Sequence, residues 1–248
     1  MRTKSPREPA RPAAFTFDPA RILFQGRGVL AVDKPAGIPV HRGTDHPRGL
    51  AEAVDEWART NPGRIEVEAG WPVSPLHRLD LEASGVVLLG LTREATRDVQ
   101  SFFASGQVKK RYFAFVAGPV AEEATIKGKV RSKLRGVYRY VPSRIDYRRL
   151  AGDERLSLVE VSPHEGRTHQ IRSLFADIGR PLAGDLRYGK PKPARQFLAR
   201  FHVPCLLLHA RELRLVGGIS GLPELFQAPL PDEFRRVCAE KGWAVPEN

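Results

Sequence analysis

Short apolar runs of strand length, not regularly interleaved with helical patterns, constrain the fold of this chain most. Val29–Val32 opens the first, VVLLGL (86–91) is continuous and of a length suited to a strand covered on both faces, and YFAFVAG (112–118) reads as mostly buried. Residues 156–161 alternate as a further strand, and CLLLHARELRLV (205–216) reads as a late strand pair or one long strand. Helical spacing is rarer. Leu50, Ala53, Val54, Trp57 and Ala58 share one face, and Asn61-Pro62-Gly63 stops that helix. Thr92 is placed to cap a second, with Ala95, Val99, Phe102 and Phe103 inward and an end near Gly106. Thr168 is the expected cap of a third, with Ile171, Leu174, Phe175 and Ile178 on one face before Gly179 and Pro181. Strands outnumber helices without a βαβ rhythm. The expected class is α+β, a curved, mixed and mainly antiparallel sheet with flanking helices, rather than a doubly wound fold.

A chain of 248 residues with 42% hydrophobic and 27% charged content has the composition of an ordinary folded domain. No stretch nears the ~20 apolar residues of a membrane span, and MRTKSPREPARPA has no apolar signal region. Its prolines and cations suggest a disordered tail over residues 1–20, followed by one domain over 21–248. Cys205 and Cys238 are too few and too far apart for a disulfide framework or a zinc site, so a reducing, cytoplasmic setting is expected.

Charge says more about partners. Forty Lys+Arg against 28 Asp+Glu leave +12. Twelve of the cations fall between Lys109 and Arg149, with Glu122, Glu123 and Asp146 as the only acids, so this segment alone carries +9. A single charge run is usually a solvated face. This one is too one-sided for that, and Tyr138, Tyr140 and Tyr147 interleave with its cations where they could stack on bases. A nucleic-acid partner is the expectation.

Two strings concentrate chemistry, HRLDLEASG (77–85) and GRTHQIR (166–172). Asp80 sits in a loop that leads into the buried 86–91 strand, and a carboxylate drawn into a core needs a cation to face it. Arg172, in the first turn of the third helix, is the candidate, aided by that helix's N-terminal partial charge. Arg78 and Arg167 are nearby in the same strings. On spacing alone, a lone loop aspartate is more often a turn or capping residue than a catalytic one.

The two strings stand in a longer series: VLAVDKPAGIPVH (29–41), KKRYFAFVAG (109–118), GRPLAGDLRYG (179–189), LLLHARELRL (206–215) and FQAPLPDEF (226–234). In that order, from about Gly28 to Phe234, the chain resembles the RNA pseudouridine synthases of the RluA type. The resemblance implies their fold, with an active cleft across the middle of the sheet. It implies isomerisation of uridine to pseudouridine in folded RNA, ribosomal or transfer, by detaching, turning and rejoining the uracil. By position in the motifs, Asp80 matches the catalytic aspartate and Arg172 the arginine paired with it. Tyr112 matches the aromatic residue against the target base, Arg78 the residue filling the vacated stack, and Ile171 an apolar wall of the uracil pocket. Arg167 is expected near phosphate or beside Asp80. No metal or organic cofactor is implied, no obligate protein partner, and a monomer is expected.

These roles agree with the chemistry. Breaking an N-glycosidic bond builds positive charge on ribose, which a carboxylate stabilises or attacks, and a stacked uridine must first be flipped out. The chain departs from the family pattern at Ala83 and Glu165, where threonine is commoner, and no separate N-terminal RNA-binding domain is seen. His77, His164, His169 and His209 match no zinc spacing and are expected to make structural hydrogen bonds. Asp185 is expected to support the cleft, and Lys34 and Pro35 to shape the first loop. The rival reading is a non-catalytic RNA-binding or ribosome-assembly factor that kept the fold.

Overall fold

The computed structural model describes residues 15–43, 46–134 and 136–246. Its centre is one ten-stranded sheet. The strands are β1 (Ile22–Gly26), β2 (Val29–Lys34), β3 (Ser74–Pro75), β4 (Ser84–Gly90), β5 (Val108–Ala117), β6 (Glu123–Leu134), β7 (Val137–Gly152), β8 (Leu156–Pro163), β9 (Leu208–Leu215) and β10 (Leu225–Gln227). They run in the order β1-β2-β4-β9-β5-β8-β7-β6, with β3 paired to β4 and β10 to β9. All pairings are antiparallel except β4 with β9, which touch in parallel only at Ser84↔His209 and Gly85↔Ala210. The sheet is therefore two antiparallel halves meeting at a short seam. A side chain at Gly85, where φ is +110°, would run into the Ala210 backbone, so the seam closes only on glycine.

Helices cover both faces. Partners across a ladder share a face and neighbours along a strand alternate, so Tyr112, Val161 and Tyr147 lie on one face and Arg111, Glu160 and Arg148 on the other. On the first face, α1 (Leu50–Thr60) and α3 (Gln170–Asp177) close a core with Leu30, Val87, Ala114 and Val161. On the second, α2 (Arg93–Ala104) packs on Val86, Leu88 and Leu213, while α4 (Pro191–Phe201) and α5 (Asp232–Lys241) pack on Phe113, Phe115 and Leu158. Thr92 caps α2 as expected, its hydroxyl accepting from Ala95 N–H at 3.2 Å. No helix among the described residues is long and apolar enough to cross a membrane.

Several expectations are corrected. Residues 1–14 of the expected tail lie outside the described residues, but residues 15–20 are not a loose tail. Phe17 is buried edge-on against Trp57 at 5.5 Å, and Pro19–Arg21 forms a 3-10 turn. The cap of α3 is not Thr168 but His169, whose left-handed backbone (φ 54°) turns the chain without its side chain bonding any amide of the first turn. Ile178 ends that helix exposed rather than on its inner face. The 205–216 run forms one strand that starts only at Leu208, because Pro204-Cys205-Leu206-Leu207 turns from α4 into the seam.

The basic segment folds as the long β6–β7 hairpin. Its inner side, Ile126, Val130, Ile145 and Tyr147, is buried against α3, and Gly128 lets that helix close in, since a Cβ there would meet Leu174 at 2.7 Å. Tyr147, expected among the base-stacking tyrosines, is 7% exposed and packs on Phe175, ring centres 5.3 Å apart. Strand alternation turned it inward while Tyr138 and Tyr140 stayed out.

Candidate active site

The cleft opens over the seam, with one wall from each half of the sheet. The β3–β4 loop brings Asp80, held in a turn by Ala83 N–H donating to the Asp80 carbonyl at 3.1 Å. The next carbonyl, Leu81 O, accepts from Gly37 N–H at 2.8 Å and from Lys34 Nζ at 3.3 Å. Lys34 is wholly buried and also donates to Pro35 O and Ile38 O. Burial draws its ammonium down to about 7, while Cys205, Asp80, Glu82 and Asp33 nearby favour the charged form. Lys34 thus shapes the first loop, as expected, and also pins the loop that carries Asp80.

The Asp80 side chain is 15% exposed, with Arg172 Nη1 at 3.6 Å and His169 Nε2 at 3.9 Å. Arg172 is 1% exposed, and most of its fork is engaged elsewhere. Nε and Nη2 grip Asp185 at 2.7 and 3.0 Å, and Nη1 donates to Glu82 at 2.9 Å. The expected Asp80–Arg172 pair is therefore a charge contact, not a hydrogen bond, and Asp185 is the architectural anchor. Burial opposes the guanidinium charge, but Asp185, then Glu82 and Asp80, outweigh it and raise the pKa above its ordinary value. Asp185 is likewise pushed up by burial and then held below the carboxylate range by Arg172 and by the Tyr188 and Arg187 amides.

The opposite wall holds Tyr112, at a bulge where β5 pairs Arg111 with Glu212 and Tyr112 with Ala210. Burial, and then the Asp80 charge, raise its pKa and keep the phenol protonated. Arg78, Asp80, Lys110, Tyr112, Arg167 and Ile171 all line one cleft of about 280 Å³. Of the sequence candidates, only Arg172 is not in its wall, lying just behind Asp80. Arg167 points a buried Nε into this region without a hydrogen-bond partner among the described residues. His77 is structural, accepting from Leu88 N–H at 3.0 Å.

Glu165, a departure from the family pattern, does not face the cleft as a free acid. Its carboxylate accepts from Ser143 Oγ, Arg144 N–H and Gln170 Nε2, tying the 163–170 loop to the hairpin. Lys110 Nζ donates to its carbonyl at 2.7 Å. Sequence reasoning missed Glu82, Lys110 and Tyr188 at this site. Nothing at the first two positions separates them from surface charges, whereas Tyr188 lies in the GDLRYG string that was read only as a supporting turn. Among the described residues no group of three His, Cys, Asp or Glu is arranged for a metal ion.

The hairpin's outer row carries Lys127, Lys129, Arg131, Tyr138, Tyr140 and Arg144 on the side that α3 leaves uncovered. Not all of the +9 is free there. Arg111 and Arg148 pair with Glu160, and Arg144 with Asp146. Lys127, Lys129 and Arg131 have no acidic partner within 4 Å among the described residues, and Arg131 stacks 4.0 Å over the Tyr138 ring.

A carboxylate faced by a guanidinium, a protonated tyrosine across from it and cations around the mouth suit glycosidic chemistry on a nucleotide, the work of an RNA-modifying enzyme. The chain belongs to the RNA pseudouridylate synthase family, which it matches over residues 28–177. It is 32% identical over 251 residues to the tRNA pseudouridine synthase C of Salmonella typhi, covering 92% of each chain. It is 33% identical over 224 residues to the ribosomal large subunit pseudouridine synthase D of Nitrosomonas europaea, covering 87% of this chain and 63% of that protein. Its fold is similar to that of human RNA pseudouridylate synthase domain containing 4, with a TM-score of 0.73, 22% identity and coverage of 92% of this chain and 95% of that one.

Proposed function

We propose that this pseudouridine synthase uses Asp80 as its catalytic carboxylate on a uridine flipped out of structured RNA. The observation that carries the proposal is the convergence of Asp80, Tyr112 and Ile171 in one cleft with the buried Arg172 3.6 Å behind the carboxylate. Asp80 meets the positive charge that grows on ribose as the glycosidic bond breaks. Arg172, braced by Asp185, keeps a cation behind it. Tyr112 and Ile171 hold the uracil, and Arg78, exposed at the mouth, fills the gap left in the stack. Arg167 and Lys110 take phosphate at the rim. Transfer RNA is the preferred substrate, supported by the likeness to tRNA pseudouridine synthase C over 92% of both chains; ribosomal RNA is the alternative, supported by the likeness to the large-subunit enzyme. The protein acts as a monomer in the cytoplasm, consistent with its free thiols, Cys205 and Cys238.

The test uses RNA carrying tritium at uridine C5, since that hydrogen leaves as pseudouridine forms. Asp80→Asn should lose release by a factor on the order of 10⁴ or more, with RNA affinity nearly unchanged. A variant as active as the parent sinks the assignment and leaves the binding-factor reading in its place.

A further inference from the structure

The isomerisation leaves one proton to be moved. When the detached uracil anion attacks C1′ through C5, the C5=C6 electrons form the new carbon–carbon bond and the N1 lone pair closes an N1=C6 double bond. C5 then bears both hydrogen and ribose. Removing that hydrogen as a proton restores C5=C6, returns the electron pair to N1, and N1 takes up a proton. The reaction is balanced with no other reactant, but it needs a base at C5.

C5 sits one carbon–carbon bond, about 1.5 Å, from the C1′ that Asp80 faces, so the base must stand beside Asp80. Most nearby groups are unsuited. Tyr112 is held protonated. His77 Nε2 is taken by Leu88 N–H. Glu165 Oε2 accepts three donors that hold the carboxylate toward the hairpin, and Lys110 is itself a donor to the Glu165 carbonyl. Asp80 is engaged at the ribose during the glycosidic steps.

His169 remains. It lines the cleft, and its Nε2 lies 3.9 Å from Asp80 Oδ1. Its backbone sits in the left-handed region at φ 54°, which histidine tolerates better than most residues. Its far nitrogen, Nδ1, lies 3.1 Å from the Tyr188 hydroxyl. Resting on the pseudouridine synthase reading, we propose that His169 is a catalytic residue that takes the C5 proton on Nε2 and returns one to N1. Tyr188 accepts the Nδ1 proton and so selects the tautomer with its lone pair toward the cleft. The groups around the ring are Asp80 and Glu82, which favour a charged imidazole, and Arg172 and Arg187, which oppose it. Burial is the largest influence and keeps its pKa below the ordinary histidine value, so it meets the substrate neutral.

The experiment compares uridine with 5-fluorouridine in the same RNA. Fluorine cannot leave as a cation, so the fluorinated base is cleaved and rejoined without needing the base at C5. His169→Asn keeps a residue that tolerates the left-handed backbone. It should slow conversion of uridine roughly 10²- to 10⁴-fold, bring out an isotope effect with deuterium at C5, and leave rearrangement of 5-fluorouridine at the parent rate. Tyr188→Phe should show the same pattern more weakly. If both substrates slow together, His169 only positions the site and the proposal is overturned. Unchanged uridine turnover overturns it as well. No turnover of uridine by the parent protein overturns the pseudouridine synthase reading beneath it.

Discussion

The cleft and the β6–β7 hairpin are built from the same residue types, arginine, tyrosine and acid, yet they use them in opposite ways. Behind the cleft wall Arg172 is 1% exposed and its fork is engaged by Asp185 and Glu82, so each charge is fixed in place. On the hairpin's outer row Lys127, Lys129 and Arg131 stand in water without acidic partners among the described residues, and Tyr140 is 70% exposed. The difference teaches that burial, not residue type, decides whether a charge does chemistry or attracts a polyanion. A desolvated ion pair is geometrically exact and costly to break, whereas exposed cations act additively and through salt.

The contrast makes its largest prediction at Arg172. Arg172→Met leaves Asp185 buried without its cation and should cost about 3–5 kcal/mol of stability, read by urea denaturation; a loss under about 1 kcal/mol would mean the buried network behaves like a surface one. Next comes the pair of tyrosines that share the hairpin but face opposite ways. Tyr147→Ala should destabilise by about 3–5 kcal/mol. Tyr140→Ala should change stability by less than about 0.5 kcal/mol while weakening RNA binding by about 1–3 kcal/mol. Equal stability losses would erase the distinction between the two sides.

Charge reversal sharpens the hairpin side. Lys127→Glu, Lys129→Glu and Arg131→Glu together should weaken RNA binding and lower the slope of log affinity against log salt by about 0.7–0.9 per lost phosphate contact, with the maximal rate unchanged. An unchanged slope moves the RNA surface elsewhere. A last prediction concerns acid. Burial pulls His77 from 6.5 to about 3 in the folded protein. As pH falls through 6.5 the unfolded chain takes up this proton first, so stability is lost between about 6.5 and 3. His77→Gln should flatten that loss in melting temperature measured against pH; an identical profile would show that the ring does not carry it.

How much of this was legible in the sequence depended on whether a residue's role followed from its neighbours in the chain. Strands β4 and β5 and helices α1 and α2 were readable because their apolar periods are long and their ends are marked by Thr92, Gly106 and Pro62. The strands of the hairpin were not, since alternating cations and tyrosines read as charge before they read as a pleat. Helix α4 was hidden by Pro191 and Pro193 in its first turn and by burying only Ala194 and Phe201 among its residues. At the site, Asp80, Arg172 and Tyr112 came from motif resemblance, and the structure brings them together. What the string could not show was the sharing of Arg172 among Asp185, Glu82 and Asp80, because those carboxylates come from loops 90 or more residues away as well as from 13 residues on. Tyr147 was misread because only register decides which way a strand residue points.

The order of strands carries a consequence for synthesis on the ribosome. Strand β9 is nearly the last long strand made, yet it lies in the middle, between β4 and β5. Until it emerges, the growing polypeptide holds two unfinished sheets with bare edges, each ready to pair with a stranger. A product cut short ahead of Leu208 would therefore keep both signature strings and still possess no working centre, which makes completion of translation itself the step that assembles the catalyst.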